Sequence, residues 1–409
     1  MKKSLILFCF LIFSAVHSFA CTSVIISGRV TESGKPLMLK NRDTDELNNR
    51  IEYFKGPIYS FVGLVNSSSL NKEVWAGTNS KGFCIMNTAS YNLGGNSDDN
   101  SLKDQEGELM FMALGTCATV DDFESFLNIR PKPNGVSANF GVIDAKGGAA
   151  YFEVNNYSYK KYDVNEIPCG YRVVTNFSES GSFEEYRGYE RYLTAMDIMS
   201  GYESQAENGK MYVGPFDLFY DFSRSYRNSM VGIDYLNSYY SLKKDFGFTG
   251  IVIDQDFIPR RSTSASIVFE GVKEGEDPLH TIMWSILGYP SCSVPVPVVV
   301  VDTDIVPSYL KSSQNSRNSE MCDKALKIKD TYLFYDEISN GEMYLDLNNV
   351  IKLQHSCLVT ESFVEGEWQK IYNSWVSGQT SLQVFKMDYY EFTRKYYDKY
   401  LEEFSSFIQ

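Results

Sequence analysis

The feature that most constrains this chain is a junction near its start. Lys2 and Lys3 form a short positive region, residues 4–16 are apolar, and Ser18-Phe19-Ala20 puts small residues at the two positions a signal peptidase reads. The pattern predicts a leader over residues 1–20, cut between Ala20 and Cys21, and an exported protein, periplasmic or extracellular. The apolar run is too short to span a bilayer, and no later segment offers ~18 uninterrupted apolar residues, so no membrane-spanning segment is expected.

Cleavage there makes Cys21 the first residue of the mature chain, and three readings of it stay open. Cys21 simply begins a strand; or its amine is acylated and anchors a non-enzymatic surface protein to lipid, although Ser18 stands where that motif wants Leu; or it is an amino-terminal nucleophile. In the third case one residue carries a thiol that attacks and an α-amine, of ordinary pKa about 7.7–8.0, that takes its proton. No histidine is needed, and the chain has only 3, at positions 17, 280 and 355. That leaves little material for a His-rich metal site or a Ser-His-Asp hydrolase.

Other classes are excluded by what is missing. Lys and Arg total 38 against 52 Asp and Glu, with no basic run interleaved with aromatics, so nucleic acid is not an expected partner. No Cys-x-x-Cys pair occurs, and neither a metal nor an organic cofactor is expected. After the leader the cysteines are Cys21, Cys84, Cys117, Cys169, Cys292, Cys322 and Cys357, an odd number, which leaves at least one thiol unpaired in an oxidising compartment.

Along the chain, apolar runs and turns predict strands over 22–28 and 37–40, joined around 32–36, and over 82–87, 140–144, 149–154 and 171–175. Helical periodicity covers 107–116, 120–127 with Asp121 in its cap region, and 184–199; later strands are expected at 265–270, 281–287 and 294–301, and a last helix over 387–407. Residues 312–319 and 94–104 are polar and read as loops. Hairpin-grouped strands with helices between the groups predict α+β layers rather than a doubly wound parallel sheet. Trp75, Phe83 and the Phe111-Met112 stretch are expected in the core.

The residues themselves resemble a known family. Cys21-Thr22-Ser23-Val24, then Lys40-Asn41-Arg42-Asp43, then Gly77-Thr78-Asn79-Ser80-Lys81-Gly82 leading to Asn87, and Val173-Val174-Thr175-Asn176 follow the order and spacing of the choloylglycine hydrolase and penicillin acyltransferase group of N-terminal-nucleophile hydrolases. That resemblance, carried by residues 21–180, implies a single four-layer αββα sandwich over 21–409 with a partly helical C-terminal portion. It implies Cys21 as nucleophile and base, Asp43 beside it, and Asn87 and Asn176 as amide donors near the reacting carbonyl. Lys40 stands where the family carries Arg. Arg42 is close by, and which of the two cations faces substrate is open. A later family Arg falls on Arg261, with Arg260 equally available. The bland alternatives are a solvated loop over 41–50 and turns at Asn87 and Asn176.

The expected activity is hydrolysis of a linear amide, an N-acyl amine or N-acyl amino acid, through a thioester on Cys21. Acyl transfer to a second amine, bile-salt hydrolysis and dipeptidase activity use the same site. The 29 Tyr and 27 Phe lean toward a small-molecule substrate with an apolar acyl group. A homo-oligomer is neither required nor excluded.

Overall fold

The computed structural model describes residues 20–70, 72–94, 104–183, 185–313, 316–336 and 343–408. The leader, Ala20 apart, and most of the polar stretch 94–104 lie outside the described residues.

β1 (Cys21–Ile26) and β2 (Leu37–Asp43) are buried at every residue, polar ones included. A strand buried along both edges of its pleat must be covered on both faces, because successive side chains point to opposite sides. Covering is supplied by a second sheet on one side and helices on the other. The first sheet is antiparallel, in the order β10 (Tyr171–Val174), β1, β2, Thr263–Glu270, Ile282–Leu287, Val296–Val299. The second is a seven-stranded meander: β3 (Asn49–Lys55), β4 (Ser60–Asn66), β5 (Ala76–Asn79), β6 (Cys84–Ala89), β7 (Ala138–Ile143), β8 (Ala149–Val154) and β9 (Tyr159–Asp163).

The two sheets approach closely at Gly141, where an added Cβ would fall 2.4 Å from Met86 Cε and 3.3 Å from Ile25 Cδ1 of the facing sheet. Tyr151 of β8 donates across the gap to Ser23 Oγ at 3.0 Å. On the outer face of the second sheet, α1 (Glu106–Thr116) and α2 (Val120–Ile129) bury Leu109, Met110 and Phe123 against Phe83, Phe140 and Phe152. The outer face of the first sheet carries α3 (Tyr189–Ser204) and the helices Glu320–Tyr332, Leu347–Val376 and Leu382–Glu403, whose Trp368 and Tyr400 join the same buried cluster as Leu39 and Trp284. The molecule is a four-layer αββα sandwich.

Several expectations shift at their edges. α3 starts at Tyr189 rather than 184, because Gly188 takes a left-handed conformation at its N-cap. The last long helix starts at Leu382, where Ser381 Oγ accepts from Val384 N–H. α2 is capped by Thr119 and Asp122 in a reciprocal capping box, not by Asp121. The polar run 41–50 is not a solvated loop, since Asn41–Asp43 complete β2 and Asn49 and Arg50 open β3. Nor is 312–319 a free linker: Ser312 bridges Ser319, and Ser319 Oγ donates to Asn49 O at 2.9 Å.

Candidate active site

β2 sorts four chemically active residues onto two faces by simple alternation. Lys40 and Arg42, two residues apart, share a face, and so do Asn41 and Asp43. The open question of which cation faces inward is therefore resolved for both, since Lys40 and Arg42 each reach the second sheet. Lys40 Nζ donates to Asn87 Oδ1 of β6 at 2.8 Å and to Trp75 O at 2.6 Å. The Arg42 guanidinium donates to Asn66 Oδ1 at 2.7 Å and to Ser264 Oγ at 3.2 Å, and lies 5.2 Å from the Trp75 ring centroid. Trp75 is half-buried and serves this cation, while Phe83 is fully in the core and Met112 is largely exposed.

Cys21 sits directly opposite Arg42 in the β1–β2 ladder, so its thiol lies on the same inter-sheet face, only 6% of the residue being exposed. Burial pushes Lys40 down to about 7, the Cys21 sulfur opposing and Arg42 adding to the drop. Burial likewise lowers Arg42 to about 10 against the pull of Cys21. The hydrogen bonds of both cations go to neutral oxygens, although Glu46 and Asp43 also act on Arg42 through their charge. Asn87 is turned so that its oxygen takes the lysine proton, and its Nδ2 has no partner among the described residues.

The other face of β2 holds Asp43. Its Oδ1 accepts from Thr263 Oγ1 at 2.6 Å and its Oδ2 from Arg260 Nε at 2.9 Å. Burial raises this carboxyl, while Arg260 and Arg191 oppose the rise. The late arginine on Asp43 is thus Arg260 and not Arg261. Arg261 N–H donates to Asp254 Oδ2, and its exposed side chain turns away from Asp43 into the neighbouring cavity.

Asn176 also departs from the expected arrangement. Its Oδ1 accepts from Cys21 N–H at 2.9 Å, and its Nδ2 donates to Ala89 O at 3.0 Å. The carboxamide offers its oxygen to the Cys21 nitrogen rather than holding an N–H free for a reacting carbonyl. Beside it stands a residue the sequence reading missed. Arg191 of α3, 1% exposed, donates to Cys21 O at 2.7 Å, Thr22 Oγ1 at 2.9 Å, Asn176 Oδ1 at 2.9 Å and Asp256 Oδ1 at 3.0 Å. Nothing local marks Arg191 as buried; the nearest signal is Gly188, three residues earlier.

A cavity of about 990 Å³ opens against Ala20 and Asn176. Five basic residues line it, Arg187, Arg191, Arg260, Arg261 and Lys329, interspersed with aspartates. Ala20 and Leu47 add apolar surface to the same wall. The tyrosines are spent in the core instead, with Tyr151, Tyr289, Tyr389, Tyr396 and Tyr400 all under 2% exposed. Among the described residues the seven cysteines are all free, no His, Cys, Asp and Glu cluster could hold a metal, and no helix is long and apolar enough to cross a membrane.

Residues 30–227 match the family model of acyl-coenzyme A:6-aminopenicillanic acid acyl-transferase. No curated protein matches the sequence. Solved structures with a similar course include a Caenorhabditis elegans ortholog of N-acylethanolamine-hydrolyzing acid amidase, 15% identical, covering 63% of this chain and 93% of that one with a TM-score of 0.41. A conjugated bile acid hydrolase variant from Clostridium perfringens is 11% identical over 65% of this chain and 89% of its own, TM-score 0.38. Penicillin V acylase from Agrobacterium tumefaciens is 14% identical over 68% and 84%, TM-score 0.33.

Proposed function

We propose, from a chain that belongs to the N-terminal-nucleophile hydrolase group through the acyl-transferase family matched at residues 30–227, that it is an exported cysteine enzyme cleaving a linear amide through a thioester on Cys21. The observation that carries this reading is the double setting of one residue. The Cys21 sulfur faces two cations whose hydrogen bonds, among the described residues, go to neutral oxygens, and its nitrogen is held 2.9 Å from Asn176 Oδ1.

In the mature chain the Cys21 nitrogen is an α-amine. It takes the thiol proton, and the sulfur attacks the amide carbon. The carbonyl oxygen gathers negative charge, which the Asn87 Nδ2–H, aimed by Lys40, and the cations behind it stabilise; such a donor carries a factor of about 10²–10³ in rate. The C–N bond then breaks, the departing amine leaves with the proton held by Cys21, and a thioester remains. Water, giving its proton to the same amine, releases the acid and restores the thiol. A second amine in place of water makes the reaction an acyl transfer.

Four aspartates stand among the five cations of the cavity, and Arg187 and Arg261 in its wall offer guanidinium groups to a substrate carboxylate, which favours an N-acyl amino acid ahead of a neutral N-acyl amine. The lipid-anchor reading is disfavoured by position: a Cys21 sulfur that faces Lys40 and Arg42 between two sheets is badly sited to bear a membrane anchor. The test is a panel of acyl glycines, acyl ethanolamines, conjugated bile acids and penicillins, each assayed with and without an added acceptor amine. At least one amide turns over in the wild type and none in Cys21→Ala; a panel that is silent throughout overturns the enzyme reading.

A further inference from the structure

We infer that Arg191 is a positioning residue for the nucleophile: it fixes the Asn176 carboxamide with its oxygen toward the Cys21 amine and, as a neighbouring cation, keeps that amine in its proton-accepting form. The inference rests on the reading of Cys21 as nucleophile and base.

The orientation of Asn176 follows from its partners. Around it stand two donors, Cys21 N–H and Arg191, on one side and one acceptor, Ala89 O, on the other. Only one setting of the carboxamide satisfies all three, since the reverse would put an NH₂ against two donors and an oxygen against a carbonyl. Arg191 therefore decides which atom of Asn176 the amine meets. An amine that donates a hydrogen to Asn176 Oδ1 is held by that bond, and its lone pair stays free for the thiol proton.

The same guanidinium grips Cys21 O and Thr22 Oγ1, so it fixes the nucleophile's own backbone as well as its partner. Room for it is provided by Gly188, which has φ +76° and whose Cβ, if present, would lie 2.2 Å from an Arg191 terminal nitrogen. The charged groups around the amine are Arg191 from α3, Arg260 and Asp256 from the segment before Thr263–Glu270, and Lys40, Arg42 and Asp43 from β2, with the Cys21 thiol itself. Arg191 and Arg260 share the Asp256 carboxylate, and Asp43 is already held by Arg260. Asp45 and Asp254 line the same cavity. Arg191, hydrogen-bonded to Cys21 O and to Asn176 Oδ1, is the cation held against the nitrogen, and its charge disfavours an ammonium there.

The experiment is the pH dependence of kcat/KM for the mature full-length enzyme with its best panel substrate. Arg191→Gln moves the acidic limb upward by about one pH unit, so that activity falls about tenfold at pH 6 and far less at pH 9, with KM little altered. Arg191→Lys restores the limb without restoring the whole of kcat, because an ammonium lacks the fork that spans Cys21 and Asn176. Gly188→Ala serves if Arg191→Gln does not fold: it keeps the guanidinium but displaces it, and shifts the limb part of the way. An unmoved limb in the folded Arg191 or Gly188 variants, with kcat lowered equally at every pH, overturns the inference and leaves Arg191 a structural residue. Turnover by Cys21→Ala would instead overturn the function on which it rests.

Discussion

On the sulfur side of Cys21, Lys40 and Arg42 lie between the sheets with only neutral oxygens as hydrogen-bond acceptors, whereas on the amine side Arg191 and Arg260 are tied to the carboxylates of Asp256 and Asp43. One strand, β2, supplies residues to both sides and separates them by alternation alone. The cost of burial differs accordingly. Lys40 falls to about 7 and Arg42 to about 10 because little negative charge compensates them, while Arg260 is raised by Asp43 and Asp256 in spite of its burial. Uncompensated cations are stabilised by whatever anion forms beside them, a thiolate or an oxyanion. Compensated ones hold position. In the reaction proposed above, the sulfur side would receive charge and the nitrogen side would fix geometry.

That division can be broken one residue at a time. The largest effect belongs to Cys21, which both sides serve. Cys21→Ala leaves no measurable turnover with an unaltered melting temperature, and Cys21→Ser keeps only a trace, an alcohol being the poorer nucleophile at neutral pH; parallel assays and thermal melts check both. Asn87→Ala follows. If its Nδ2 meets the oxyanion, kcat falls about 10² or more at every pH, in contrast with Asn176→Ala, whose loss changes with pH because it removes the amine's acceptor and shifts the acidic limb. Equal pH dependence in the two variants would erase the distinction between the sides.

Lys40 offers a stability test with a definite sign. Its folded value, about 7, lies below the 10.5 of a free lysine, so between those pH values the unfolded chain binds the additional proton. The lysine's contribution to unfolding free energy therefore rises with pH from about 7 to about 10 and is flat below. Denaturant midpoints of wild type and Lys40→Met, compared at pH 7 and 9.5, should show a larger rise in the wild type, the difference being the lysine's share. The smallest effect is expected at the cavity wall, where Arg261→Gln should raise KM for a carboxylate-bearing amide several-fold, roughly the strength of one exposed charge-assisted contact. Steady-state kinetics on matched acyl glycine and acyl ethanolamine substrates reads the difference.

How much of this was written in the sequence depends on whether a residue's partners are local. The β1–β2 and β7–β8 hairpins were readable because apolar runs flank turn residues, and Cys21 was readable because a leader-like pattern ends just before it. Asp43 came only through the family resemblance, by its place at the end of Lys40-Asn41-Arg42-Asp43. Lys40 and Arg42 could have been placed on one face from strand periodicity alone. Arg260 and Arg261 could not be told apart, since their difference lies in a contact with Asp43 more than two hundred residues away. Arg191 was invisible for the same reason: a lone arginine near a helix start ordinarily faces water, and only the packing of α3 on β1 buries it. The strands β3 and β4 went unread because Asn, Arg, Glu and Lys in β3 mask its alternation.

The central claim is that Cys21 is the first residue of the mature protein and carries the acyl group during turnover. Intact-mass analysis of the secreted enzyme, before substrate and after acid quench during steady state, tests it directly. The account predicts a chain beginning at Cys21 with a free amine, gaining the mass of the acyl group on that residue and losing the gain in Cys21→Ala. Full turnover by a chain that retains residues ahead of Cys21, or turnover with no acyl mass ever appearing on Cys21, would contradict it.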